Sequence, residues 1–423
     1  MIKKITLILT FSCLLIWLGY FTPRQSFGQL ISLYSALFVV YFFLVKTFKN
    51  AREVIFVGVF FRLLLLFAIP ALSDDFYRFV WDGRLLINGI NPYTILPANF
   101  VQSLDFHRVI WEKVIFEKLN SPNYYTVYPP LNQLIFAASA ALSQGSLFGN
   151  IVALRVFILL AEISLLFVIV KSKYSDKFNL YAFNPLIIIE LTGNLHFEGV
   201  VMCFLILAYN FRKKILLSAF LFACAVCVKM LPLIFIPLII RQLGWKKGLI
   251  YTVLVGIFTA LFFLPFLDQK LIEKLFSSVN LYFQKFEFNA SVYYLVRAVG
   301  FKIFGYNIIG TAGKIMALLT FSGVLFISWK SKNLFVGALA ILTLYFAMAT
   351  TVHPWYVTNL LVIAIFTNFR YPIVWSFTVF LSYATYQTNL YQENLWLVAL
   401  EYLLVFGMIV YELTKKYTFK FTI

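Results

Sequence analysis

Two adjacent carboxylates, Asp74 and Asp75, open the stretch Ser73-Asp74-Asp75-Phe76-Tyr77-Arg78-Phe79-Val80-Trp81-Asp82-Gly83-Arg84. It packs three acids and two guanidiniums into a chain of which only 12% is charged. On a helix, Asp75, Arg78 and Asp82 share one face, because residues three, four and seven apart stack together. A carboxylate so placed can serve as a general base, taking the proton of a hydroxyl as that hydroxyl attacks. Partial burial would bring its pKa toward the working range. Adjacent acids on a helix point about 100° apart, so one of Asp74 and Asp75 is expected to face a substrate. The residues alone do not choose between them. Such a pair is also compatible with a divalent cation, magnesium or manganese, although nothing in the pattern requires a cofactor. Arg78 and Arg84 carry the planar fork that suits a phosphate, and Asp82 lies between them.

Further polar residues stand out against apolar surroundings. His196 and Glu198 lie in Gly193-Asn194-Leu195-His196-Phe197-Glu198-Gly199, where two glycines allow a tight turn and close approach of a ligand. Lys229 ends an apolar run just before Pro232, and His353 begins His353-Pro354-Trp355-Tyr356. Phe286-Glu287-Phe288-Asn289 and Tyr124 to Leu131 are similar islands. Each has a plain alternative. Glu198 suits any helix start, Lys229 could simply reach for the membrane interface, and Trp355 and Tyr356 could belong to an aromatic belt.

The elements that must position these residues are membrane helices. The 423 residues are 62% apolar with a mean hydropathy of +0.88, whereas ordinary domains are about half apolar and a quarter charged. Apolar runs recur at about 5–22, 30–45, 54–72, 150–170, 179–192, 197–211, 215–228, 232–242, 248–266, 312–329, 334–350, 355–368, 371–387 and 394–413. They predict an all-α integral membrane bundle in one polytopic unit over 1–423, with helices disturbed at Pro185, Pro232 and Pro354. The first run lacks a small-x-small cleavage site and reads as a retained span.

The net charge of +18 invites a nucleic-acid partner, but its distribution excludes one. The basic residues fall in short clusters between apolar runs, such as Lys46/Lys49/Arg52, Lys171/Lys173/Lys177, Arg212/Lys213/Lys214 and Arg241/Lys246/Lys247. Such clusters mark cytoplasmic helix ends. Every cluster falls inside if 131–144 and 291–304 lie along the outer surface instead of crossing. That topology has about 14 crossings, both termini cytoplasmic, and external loops at about 73–149 and 267–311. All the polar motifs then converge outside. Cys13, Cys203, Cys224 and Cys227 lie within apolar runs and read as packing residues, not metal ligands.

The motifs 73–97, YPPLNQLIF (128–136), FNPLIIIELTGNLHFEGVVM (183–202), VKMLPLIFIPL (228–238) and HPWY (353–356) together resemble the polytopic GT-C glycosyltransferases. The likeness is to the bacterial mannosyltransferase-like group related to the glycosyltransferase 87 family. It implies a GT-C type multi-span bundle with external surface helices in the first long loop, and an acidic catalytic motif in that loop. The implied activity is inverting transfer of a hexosyl, mannosyl by family name, from a polyprenyl-phosphate sugar to a glycan or lipid acceptor, for the cell envelope. The site would face the periplasm or exterior of the plasma (inner) membrane, in contact with membrane lipid. Alignment to related enzymes favours Asp75, with Arg78 three residues on, over Asp74. The rival reading is a transporter or flippase of lipid-linked sugars, which would place charges near the bilayer midplane in two related halves.

Overall fold

Among the described residues, six apolar helices are long enough to cross a bilayer: Ile2–Phe21, Phe27–Thr47, Leu147–Val170, Trp245–Phe266, Ile309–Lys330 and Leu395–Lys415. A bent pair, Ile187–Gly193 with Glu198–Asn210, would make a seventh if counted as one span. The computed structural model describes residues 2–103, 113–172, 174–269, 271–274, 286–388 and 391–418, so Lys173 of the basic clusters lies outside the described residues. Each of the other expected spans is found as a helical segment, but a shorter one, such as Ile215–Val228 and Leu334–Met348.

In chain order the helices used below are α1 (Ile2–Phe21), α2 (Phe27–Thr47), α3 (Ala51–Leu64), α4 (Asp75–Ile87), α5 (Pro130–Leu142), α6 (Leu147–Val170), α7 (Glu198–Asn210), α8 (Ile215–Val228), α9 (Val292–Phe304), α10 (Leu334–Met348), α11 (Val357–Ile365) and α12 (Leu395–Thr418). Local sequence fixes several starts. Asn50 Oδ1 accepts from the Arg52 N–H at 2.9 Å to begin α3, and Ser146 Oγ accepts from the Gly149 N–H at 3.0 Å to begin α6. The three prolines act as expected. Pro185 precedes a π-helical turn at Ile187–Gly193, and Pro232 and Pro354 fall in 3-10 turns at Leu231–Phe235 and Pro354–Tyr356.

Contacts between loops sort them into two rims. At one, Lys4 pairs with Glu53 at 2.6 Å, Asn179 Nδ2 donates to the Phe48 carbonyl at 3.1 Å, and Lys177 Nζ to that of Thr367 at 2.7 Å. The backbone N–H of Arg370 donates to Glu412 there at 2.7 Å. Arg241 joins the same end through the Trp329 carbonyl at 3.3 Å. The basic clusters gather at this rim. At the other, Arg24 pairs with Asp74 at 2.6 Å, the Leu72 N–H donates to Asn194 at 3.2 Å, Phe288 bridges Thr351, and Lys229 pairs with Glu198 at 2.5 Å. The polar motifs gather here.

Both ends of α5 are fixed by hydrogen bonds. Asn132 Nδ2 donates to the Val228 carbonyl at 2.9 Å, and the Gly145 carbonyl beyond its other end accepts from Arg84 at 2.6 Å. α5 lies against α4 with Phe79 and Phe136 stacked at 4.8 Å. The approach is close enough that a Cβ on Gly83 would sit 2.3 Å from the Phe136 carbonyl oxygen, so only glycine fits.

Candidate functional site

Asp75 is the first residue of α4, and Asp74 stands just before it. The two diverge as their helical offset requires. Asp74 turns to Arg24 in the α1–α2 turn, whose guanidinium also lies 4.8 Å from the centre of the Tyr386 ring. Asp75 accepts from Asn120 Nδ2 at 2.7 Å and, among the described residues, has no cationic partner in salt-bridge contact. It is partly exposed. Burial pushes its pKa up from 3.8 to about 6; the Asn120 bond pulls the other way, Glu198 and Asp74 raise it, and Lys229 lowers it.

Nearby, the chain breaks between the π turn and α7 with a bend of 105°. π turns of this kind recur at functional sites. Leu195 takes the left-handed conformation, φ +63°, which for a leucine is strained and held here by full burial. The break sets Glu198 at the first turn of α7, where Lys229 Nζ, from the end of α8, reaches its Oε1 at 2.5 Å. Lys229 also lies 4.0 Å from the centre of the Tyr356 ring and keeps a third of its side chain exposed.

His196 and His353 join a column of rings. Phe288 stacks on His353 (4.9 Å), His353 on Trp355 (4.3 Å) and Trp355 on His196 (3.7 Å). Burial pushes the His353 pKa down to about 3, and the Lys229 charge adds to this, so the ring is neutral near pH 7. His196 Nε2 and His353 Nδ1 are buried without a hydrogen-bond partner among the described residues. Behind His196, Glu190 Oε2 lies 3.6 Å away, while Tyr383 donates to Glu190 Oε1 at 2.7 Å.

Asp75, Asp74, Glu198, Lys229, His196 and His353 thus meet at one rim. Arg78, Asp82 and Arg84, expected from the sequence to contact substrate, are buried and bonded within the protein. Arg78 is 3% exposed and holds Asp82 at 2.8 Å and the carbonyls of Ser121 and Tyr124 at 3.1 and 2.9 Å. Asp82 is fully buried and also accepts from Gln133 at 3.0 Å. Arg84 fastens the end of α4 to Gly145. These side chains face inward because α4 packs on α5, and helical spacing alone does not say which side of a helix another covers. The sequence reading missed Arg24 and Asn120. Arg24 was detectable as a cation at the end opposite the basic clusters; Asn120 carried no signal. Among the described residues, no three His, Cys, Asp or Glu side chains are grouped to hold a metal ion, and Asp74 and Glu198 are already committed to cations.

A polytopic helical membrane protein with acids, cations and aromatic rings converging on one rim is the class that fold and site define. Residues 7–244, more than half of the chain, match the alpha-(1->6)-mannopyranosyltransferase N-terminal domain family, MptA_B. The chain belongs to this family, and is a glycosyltransferase of the GT-C mannosyltransferase type. No curated protein and no solved structure matches it.

Proposed function

We propose that this glycosyltransferase moves a mannosyl group from a polyprenyl-phosphate donor to a hydroxyl of a glycan or lipid acceptor in the cell envelope. The pairing around Asp75 carries this reading. Asp74 is held by Arg24 and Glu198 by Lys229, whereas Asp75 keeps an amide donor, leaving its carboxylate free to accept a proton. With a pKa near 6 it is ionised at neutral pH and still basic enough to be effective.

The acceptor oxygen bonds to the anomeric carbon as its proton passes to Asp75. The bond from that carbon to the phosphate oxygen breaks, and polyprenyl phosphate leaves with inversion. Lys229, partly exposed and close enough to act on the Asp75 charge, meets the charge that grows on the departing phosphate, and Arg24 is a second cation nearby. The unpartnered Nδ1 of His353 offers a position for a sugar hydroxyl. With the basic rim cytoplasmic, the site faces the periplasm or exterior of the plasma membrane, and the shorter segments complete about 14 crossings. No contact described above favours the transporter reading.

The test is to incubate purified protein with polyprenyl-phosphate sugars and follow release of polyprenyl phosphate. Release from the mannosyl donor is expected; turnover of nucleotide-mannose alone would overturn the donor class. For topology, single cysteines replacing Ser103 and Ser146 should be labelled from the same, outer side. Labelling from opposite sides would make α5 a crossing.

A further inference from the structure

Asn120 belongs to a stretch that would have little reason to hold still by itself. The hydrogen bonds around Arg78 explain why it does. Arg78 Nη1 donates to the carbonyls of Ser121 and Tyr124, pinning the chain immediately after Asn120, while its Nε is held by Asp82 at 2.8 Å. Gln133 on α5 extends the brace, donating to Asp82 at 3.0 Å and to Thr126 Oγ1 at 3.0 Å. The helix that carries Asp75 therefore also carries the anchor for its hydrogen-bond partner, one turn further on.

We propose that Asn120 is a positioning residue for the Asp75 carboxylate, set in place by Arg78, and that this pair tunes how readily Asp75 gives up its proton. The inference rests on the reading of Asp75 as the base. An amide N–H donated to a carboxylate favours the ionised form. The contact acts against the burial, Asp74 and Glu198 that favour the neutral form, and alongside Lys229; Tyr356 and Tyr386 also face Asp75. Arg78 thereby gains a role that its sequence position suggested only in part. It touches no substrate, and it acts on the base through the loop.

The experiment is the pH–rate profile of polyprenyl-phosphate release from about pH 5 to about pH 9, on the full chain, for Asn120→Ala, Arg78→Lys and the double variant. Asn120→Ala should move the acid limb upward, with a loss of about tenfold on that limb and less than about twofold on the alkaline plateau. Arg78→Lys keeps the charge opposite Asp82 and loses the fork across two carbonyls, so its limb should move the same way. The double variant should be no worse than the stronger single one, as expected for residues acting in series. An acid limb that stays put in Asn120→Ala, whether the rate falls uniformly or not at all, overturns the proposal. Additive losses overturn the part given to Arg78. Asn120 is exposed, so its truncation does not endanger folding even if Arg78→Lys lowers the yield. A fully active Asp75→Asn would instead sink the reading of Asp75 as base, and is measured separately.

Discussion

Two ionic sites in this bundle are built on opposite terms. In the interior, Arg62 on α3 and Glu162 on α6 are both fully buried and pair at 2.6 Å. Glu162 also accepts from Tyr181 at 2.9 Å and Thr192 at 2.9 Å, and Arg62 Nη1 caps the carbonyls of Gly58 and Ala182. At the rim, Lys229 and Arg24 are each held by an acid yet remain partly exposed, and Asp75 keeps a single amide donor beside two other carboxylates. The interior site pairs its two charges within the protein, leaving Arg62 Nη2 without a hydrogen-bond partner among the described residues, and charge pairing of this kind is what an apolar medium demands. The rim leaves binding capacity open, which is what a substrate needs.

The sharpest way to break this contrast is at the interior pair. Removing one partner leaves a buried charge, at a cost of typically about 3–5 kcal/mol. Glu162→Ala should therefore lower the unfolding temperature strongly, while the double variant Arg62→Met/Glu162→Leu regains most of the loss. Unchanged thermal unfolding in Glu162→Ala would mean the interior pair is not structural. Next comes Asp75→Asn, expected to slow turnover by at least about 100-fold with thermal unfolding unaltered. Asp74→Asn should be milder because its carboxylate serves Arg24. The reverse order would exchange their roles. The base must be deprotonated and its pKa lies near 6, so the wild-type rate should fall as pH drops through that value, and any residual rate of Asp75→Asn should lack that limb. The smallest effect expected is for Lys229→Met, about 10- to 150-fold at sub-saturating donor, the range of a charge-assisted contact of about 1.5–3 kcal/mol. A loss under about threefold would make Lys229 an interfacial anchor.

The placement of helices was legible because apolar run length and basic clusters are local signals. Helix length was not legible, because a run such as 197–211 does not reveal that the chain bends by 105° just before it. For the site, the convergence of Asp75, Glu198, Lys229, His196 and His353 followed from counting sides of the membrane. The pairing within it did not follow, since Arg24 and Asp74 lie 50 residues apart in sequence and Arg62 and Glu162 lie 100 apart. The partners of Arg78 were not legible for a related reason: a guanidinium suits a phosphate and a pair of backbone carbonyls equally well, and only packing decides.

The column of rings has a consequence for biosynthesis. Arg24, both aspartates, Asn120, Glu198 and Lys229 all lie within residues 7–244, so the charged half of the site emerges early from the ribosome. Phe288, His353, Trp355 and Tyr356 come later, and until they are threaded His196 lacks its stacking partner and Lys229 its ring. During that interval the nascent bundle carries its charges without the aromatic wall that encloses them. A chain stopped after residue 244 would be left permanently in that unfinished state, so insertion of the later helices doubles as the step that completes the site.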